Sequence, residues 1–111
     1  MNAKEIVLRY FELTFNRHLP ALADLRFLHP EYRHLGEGGQ GRLEFVQFFE
    51  HHFALYPRFS SVVENCVVEK DLVVLHVQSK HSPDERAHAV AEFYRIKEDR
   101  IFEHWHVVGT A

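Results

Sequence analysis

Cysteine occurs only at position 66, and methionine and tryptophan occur once each. A single cysteine excludes an internal disulfide and a thiolate zinc cage, and it fits a reducing cytoplasm. Five glycines and four prolines are too few for a low-complexity chain. No apolar run approaches the roughly 20 residues of a membrane span, and Met1-Asn-Ala-Lys-Glu5 does not read as a signal peptide. Basic excess is missing as well: 13 Lys and Arg stand against 16 Asp and Glu. That balance argues against a nucleic-acid platform. What remains is 111 residues, 46% hydrophobic and 26% charged, the composition of a single domain over 1–111. A chain of this mass buries roughly two-thirds of its extended surface without staples. One residue type is abnormally abundant: there are ten histidines.

Helical patterns come first. Asn2 and Glu5 form a capping-box pair ahead of Val7, Tyr10, Phe11, Thr14 and Phe15, whose spacing predicts an amphipathic helix over 3–17. Pro20 permits a second, short helix over Ala21–Phe27, which His29-Pro30 ends. Tyr32–Leu35 reads as a connector or edge strand. Gly36–Gly41 holds four glycines but lacks the Lys-Ser/Thr of a phosphate cradle, so it reads as a mobile surface loop. Leu43, Phe45, Val46, Phe48, Phe49, His52 and Phe53 give a third helix one broad apolar face, expected to be core, and Pro57 stops it. Within it His52 is expected half-buried and His51 solvated.

Beyond Pro57 the period changes to that of strands. Phe59–Glu69, Leu72–Ser79, Ala87–Lys97 and Arg100–Val108 are β-rich and separated by short breaks. Short breaks mean antiparallel hairpins, and helices followed by a meander predict an α+β fold. Alternation sorts the side chains. His76 and Gln78 share a face of one strand, Glu92 and Tyr94 a face of the next, and His104 and His106 a face of the last. A plain two-residue loop at Glu98-Asp99 pairs Glu92 with Trp105; a turn over Ile96–Asp99 with a bulge at Asp99 pairs it with His104. The second register is favoured. It brings a carboxylate and one or two imidazoles together, either as a structural hydrogen bond or as a proton-transfer pair.

The chain from Val7 to His106 resembles a SnoaL-like polyketide cyclase or ketosteroid isomerase-like protein of the NTF2-like superfamily. The motifs that carry the resemblance are Ala91-Glu-Phe-Tyr-Arg-Ile96 and Ile101-Phe-Glu-His-Trp-His106, with Arg9-Tyr10 on the first helix. The resemblance implies an NTF2-like cone of three N-terminal helices on a curved antiparallel sheet, an internal pocket, and a homodimer through the sheets. It makes Tyr10 a donor to a developing oxyanion and Glu92 a second donor. His34 stands near the position of the isomerase base, and His106 replaces the aspartate that serves cyclases in proton transfer. Neither position 34 nor 106 carries a carboxylate.

The resulting expectation is proton transfer α to a carbonyl of a small hydrophobic molecule, with Tyr10, His34, Glu92 and His106 as catalytic candidates. His76, Gln78, Trp105, His104 and Phe49 are the candidate substrate contacts. No cofactor, metal, membrane or nucleic-acid partner is expected. Two alternatives stay open: a non-catalytic binder of small molecules or lipids, and a histidine-based metal-binding protein using His104-x-His106 with His76, His34 or Glu92. The dimer is expected to cover an apolar sheet face that includes Val73, Leu75, Val77 and Trp105.

Overall fold

Asn2 starts the first helix as its spacing to Glu5 predicts. Its side chain accepts from the Glu5 N–H at 2.9 Å, and the Glu5 carboxylate accepts from the Asn2 N–H at 3.4 Å. The computed structural model describes residues 1–35 and 41–109. Among these residues three α-helices, α1 (Ala3–Phe11), α2 (Pro20–Phe27) and α3 (Arg42–Leu55), pack on a sheet. Its strands are β1 (Leu28–His34), β2 (Ser60–Glu69), β3 (Leu72–Lys80), β4 (His88–Lys97) and β5 (Arg100–Val108). Among the described residues no helix is long and apolar enough to cross a membrane. The expected glycine loop lies, apart from Gly41, outside the described residues.

The first helix does not run unbroken to residue 17. After Phe11 it widens into a π-helical stretch, Glu12–Asn16, which the Arg17 N–H closes onto the Glu12 carbonyl. Such widenings have no hydropathy signature, because the apolar stripe continues through them. Here the stripe keeps Leu13, Thr14 and Phe15 buried. Asn16 at its end is tied to β2: its amide donates to the Ser61 carbonyl, and its carbonyl accepts from the Ser61 N–H, both at 2.9 Å.

Among the described residues the sheet has five strands, in the order β1-β5-β4-β3-β2. The expected antiparallel meander is present over β2 to β5, and β1 adds a parallel edge strand beside β5. Pro30 is tolerated because β1 is an edge strand and bulges between Leu28 and Arg33. His29 fastens it to the β4–β5 turn through Glu98 at 3.1 Å.

That turn departs from both sequence-based registers. Glu98 and Asp99 both take left-handed φ, 53° and 60°, as a two-residue hairpin turn demands, and Lys97 pairs with Arg100. The bulge falls three residues later, at Phe102 between Ile101 and Glu103. It shifts the ladder so that Glu92 opposes His106 rather than His104 or Trp105, and Tyr94 opposes His104. The parity of faces survives, so Glu92, His104 and His106 all point to the helix side.

Val73, Leu75 and Val77 were expected on an uncovered face. They lie instead under the helices and are at most 1% exposed. The outer face carries a row of apolar cross-strand partners, Val67, Val74, Phe93 and Trp105. Helix α3 departs from expectation too: only Phe45 and Phe53 are buried, while Leu43 and Phe48 are more than half exposed. The stripe reads as continuous in sequence, but much of it borders a cavity rather than a filled core.

Asn16→Ala leaves the buried Ser61 backbone without its partner, and an unmet buried N–H costs about 1–3 kcal/mol. Urea unfolding of this variant is therefore expected to show a loss of that size with an unchanged slope. A change under about 0.5 kcal/mol contradicts the role assigned to Asn16.

Candidate functional site

Between the helices and the concave side of the sheet lies a cavity of about 750 Å³. Its helical wall is aromatic, made of Phe11, Phe15, Phe45, Phe48 and Phe49, and its sheet wall is polar, with His34, Glu92, His104 and His106. An apolar cavity with a few converging polar groups is the usual form of a small-molecule site.

The polar floor is built by register. Parallel pairing places His34 of β1 beside His104 of β5, and antiparallel pairing places His106 beside Glu92 of β4. The ring centroids of His34 lie 4.9 Å from His104 and 5.5 Å from His106. Glu92 and His104 are 8% and 3% exposed. They bond diagonally across the hairpin, His104 Nε2 to Glu92 Oε2. The Tyr94 ring stacks flat on that of His104 at 4.6 Å and fixes its plane. His104 Nδ1 is buried and finds no hydrogen-bond partner among the described residues.

Burial, reinforced by the neighbouring His104 and His106, pushes the His34 imidazole down to about 4, against a smaller opposing pull from Glu92. His34 is therefore uncharged at neutral pH. Burial, then Glu92, raises the Tyr32 phenol well above its ordinary value. Tyr32 sits on the cavity face of β1 two residues before His34, and its hydroxyl has no partner among the described residues.

The sequence-based candidates are distributed as follows. His34, Phe49, Glu92, His104 and His106 face the cavity. Tyr10 does not: it is fully buried behind the wall, with its ring against Phe15, Phe45 and Tyr94. Helix packing seats it too deep to meet a ligand. His76, Gln78 and Trp105 lie on the outer face, because alternation on β3 and β5 turns them away from the helices. There His76 bonds Asn65, and Trp105 stacks on Phe93 with Arg95 over its ring.

Several lining residues were not among the site candidates. Tyr32 belongs to a strand that reads as a connector. Ser61 and Ser79 meet through their hydroxyls at 2.8 Å in the β2–β3 ladder. His52, His81 and His88 form a second histidine group on the cavity wall, with His81 ring centroids 5.6 Å from each of the other two. Glu85 accepts from the His81 N–H at 2.6 Å, and the bonds to His81 hold its carboxyl below the usual range. His52 is half-buried and His51 exposed, as expected.

Burial, then the neighbouring His81, holds His52 below its ordinary value of 6.5. Above that value it is neutral whether folded or unfolded. As pH falls through it, the unfolded chain gains a proton that the folded chain refuses, so stability declines. Replacing His52 by Phe, among Phe48, Phe49, Phe53 and Phe59, removes that contribution. The midpoint of thermal unfolding is expected to fall less between about pH 7 and pH 5 in His52→Phe than in the parent. An equal or steeper fall contradicts the assignment.

The fold is shared with solved structures of low sequence identity. IdmH, a candidate polyketide cyclase from Streptomyces antibioticus, superposes with a TM-score of 0.78 at 15% identity, covering 97% of this chain and 92% of its own. A SnoaL-like polyketide cyclase from Agrobacterium tumefaciens gives 0.78 at 17% identity, covering 99% and 93%. AclR, a candidate hydroxylase from Streptomyces galilaeus, gives 0.78 at 18% identity, covering 96% and 88%. No curated protein matches in sequence. At such identities the likeness is one of fold. The sequence itself matches the SnoaL-like domain over residues 7–104, nearly its whole length, and the chain therefore belongs to the SnoaL-like domain family.

Proposed function

We propose that the cavity takes a small, largely apolar molecule bearing a carbonyl, and that the protein moves a proton at the carbon beside it. The observation that carries this reading is the buried Glu92–His104 pair at the floor of an aromatic cavity, flanked by His34, His106 and the Tyr32 hydroxyl. Cyclases and isomerases of this kind need a proton acceptor and a donor within reach of one carbonyl group. Tyr32 and His34, two residues apart on one strand face, stand roughly 7 Å apart along the chain. That is a span a ligand's oxygen and α-carbon can bridge.

In this scheme the imidazole of His34 takes the α-proton. The C–H electron pair moves into the carbonyl, and the charge that builds on oxygen is met by the Tyr32 O–H. Tyr32 thus takes the role the resemblance gave to Tyr10. His106, on the exposed side of the group, stands where the proton can be returned. The Glu92–His104 pair keeps the floor polar and fixed, so the donors need not reorganise as charge develops. Preorganised donors in a water-poor site stabilise such charge by a few kcal/mol each.

The test uses a bicyclic enone in D₂O, with chelator present, and follows exchange of its α-protons by NMR. Exchange is expected to exceed the buffer rate and to fall by about 100-fold in Tyr32→Phe. His34→Asn is expected to lose most of it, and both variants are expected to bind a fluorescent apolar probe as the parent does. Exchange no faster than in buffer while the enone is bound overturns the catalytic reading and leaves a binding module. Equal rates in the parent and Tyr32→Phe overturn the role of Tyr32.

A further inference from the structure

The pairing of β1, β5 and β4 gathers three imidazoles at one place on the cavity wall. One ring nitrogen from each of His34, His104 and His106 lies within 4.8 Å of the other two. We propose that these three residues form a binding site for a divalent transition metal, zinc foremost, with Glu92 orienting His104 from behind.

Two features of His104 support the proposal beyond the cluster itself. The first is the state of His104. Its Nε2 is taken by Glu92, while its Nδ1 is buried and has no hydrogen-bond partner among the described residues. A buried nitrogen left unmet is costly and rare in native structures. A cation at Nδ1 meets it directly. The second is the pairing with Glu92. Metal-binding histidines almost always donate their other ring N–H to a carboxylate or carbonyl, which fixes the tautomer and raises ligand basicity. With the ring plane held by Tyr94, His104 is prepared for this role before any metal arrives.

The burial of the three ligands is graded. His104 is buried, His34 half-buried and His106 exposed. Tetrahedral zinc, with Zn–N of about 2.0–2.1 Å, sets ligand nitrogens roughly 3.3 Å apart. The group therefore has to contract, and the two outer histidines have the freedom to close on the fixed inner one. Three protein ligands leave a further position, which opens into the cavity and suits an oxygen of a bound molecule.

The inference rests on the imidazoles and not on the proton-transfer reading. Imidazoles bound to a metal do not accept a proton, so metal binding is read without any ketone, and the exchange assay is run with chelator. Failure of one leaves the other standing.

The experiment titrates Co²⁺ into tag-free, full-length protein and follows its ligand-field absorption, with Zn²⁺ competition to establish the order of affinity. Saturable binding of a single Co²⁺ with nitrogen-ligand bands is expected, displaced by Zn²⁺. His106→Asn, at an exposed position, and His34→Asn are each expected to weaken binding at least tenfold. Glu92→Gln is expected to weaken it by about 10- to 100-fold while removing no ligand. His51→Asn, on the exposed side of α3, is expected to change nothing. Absence of saturable binding overturns the proposal. So does binding that survives the double variant His34→Asn/His106→Asn, which assigns the metal to other histidines.

Discussion

A carboxylate and an imidazole bonded beneath an aromatic cavity, Glu92 to His104, are the constraint on which the site depends. Neither group is tolerated there alone, since burying an unpaired charged or polar group costs several kcal/mol. Their contact exists because one extra residue, Phe102, shifts β5 against β4. Without that bulge Glu92 opposes Trp105 and the imidazoles turn to the outer face. The left-handed pair Glu98-Asp99 turns the chain tightly enough for the bulge to fall within the strand rather than in the turn.

The helices complete what the sheet begins. The π-helical stretch carries Phe15 onto the cavity wall beside Phe49 of α3, their rings 5.1 Å apart and edge to face. The Asn16–Ser61 bonds hold this end of the helix to β2. The cavity therefore has one apolar wall made of phenylalanines and one polar wall made of strand residues. Its second histidine group, with Ser61 and Ser79, adds a further polar wall region. A ligand that fits is largely apolar with polar groups at defined places.

The fold was legible in the sequence to a large extent, for identifiable reasons. The Asn2–Glu5 cap, the change of period after Pro57 and the short breaks at Lys70-Asp71 and Glu98-Asp99 are local signals, and the elements follow them. That His104 and His106 share a face was legible, because alternation within a strand is local; that Glu92 shares it depends on the bulge at Phe102. What was not legible depends on pairing at a distance. Nothing near Leu28–His34 announces a parallel partner about 70 residues away, so Tyr32 was missed, and His34 entered only as one of three completions of a His104-x-His106 site rather than as the strand neighbour of His104. His76 and Gln78 were assigned to the wrong side because alternation sorts residues into two sets without saying which set the helices cover; Trp105 was named both as a substrate contact and on the outward apolar face, and it lies on the latter. Tyr10 shows the limit of a resemblance: the position matches, but the ring is packed behind the wall.

The most direct test of the account is proton NMR of the imidazole N–H of His104 in water. A hydrogen bond to a buried carboxylate predicts a resonance far downfield of the amides, protected from exchange and abolished by Glu92→Ala. A spectrum without such a resonance, or one that Glu92→Ala leaves unchanged, contradicts the bonded pair and with it the site built around it.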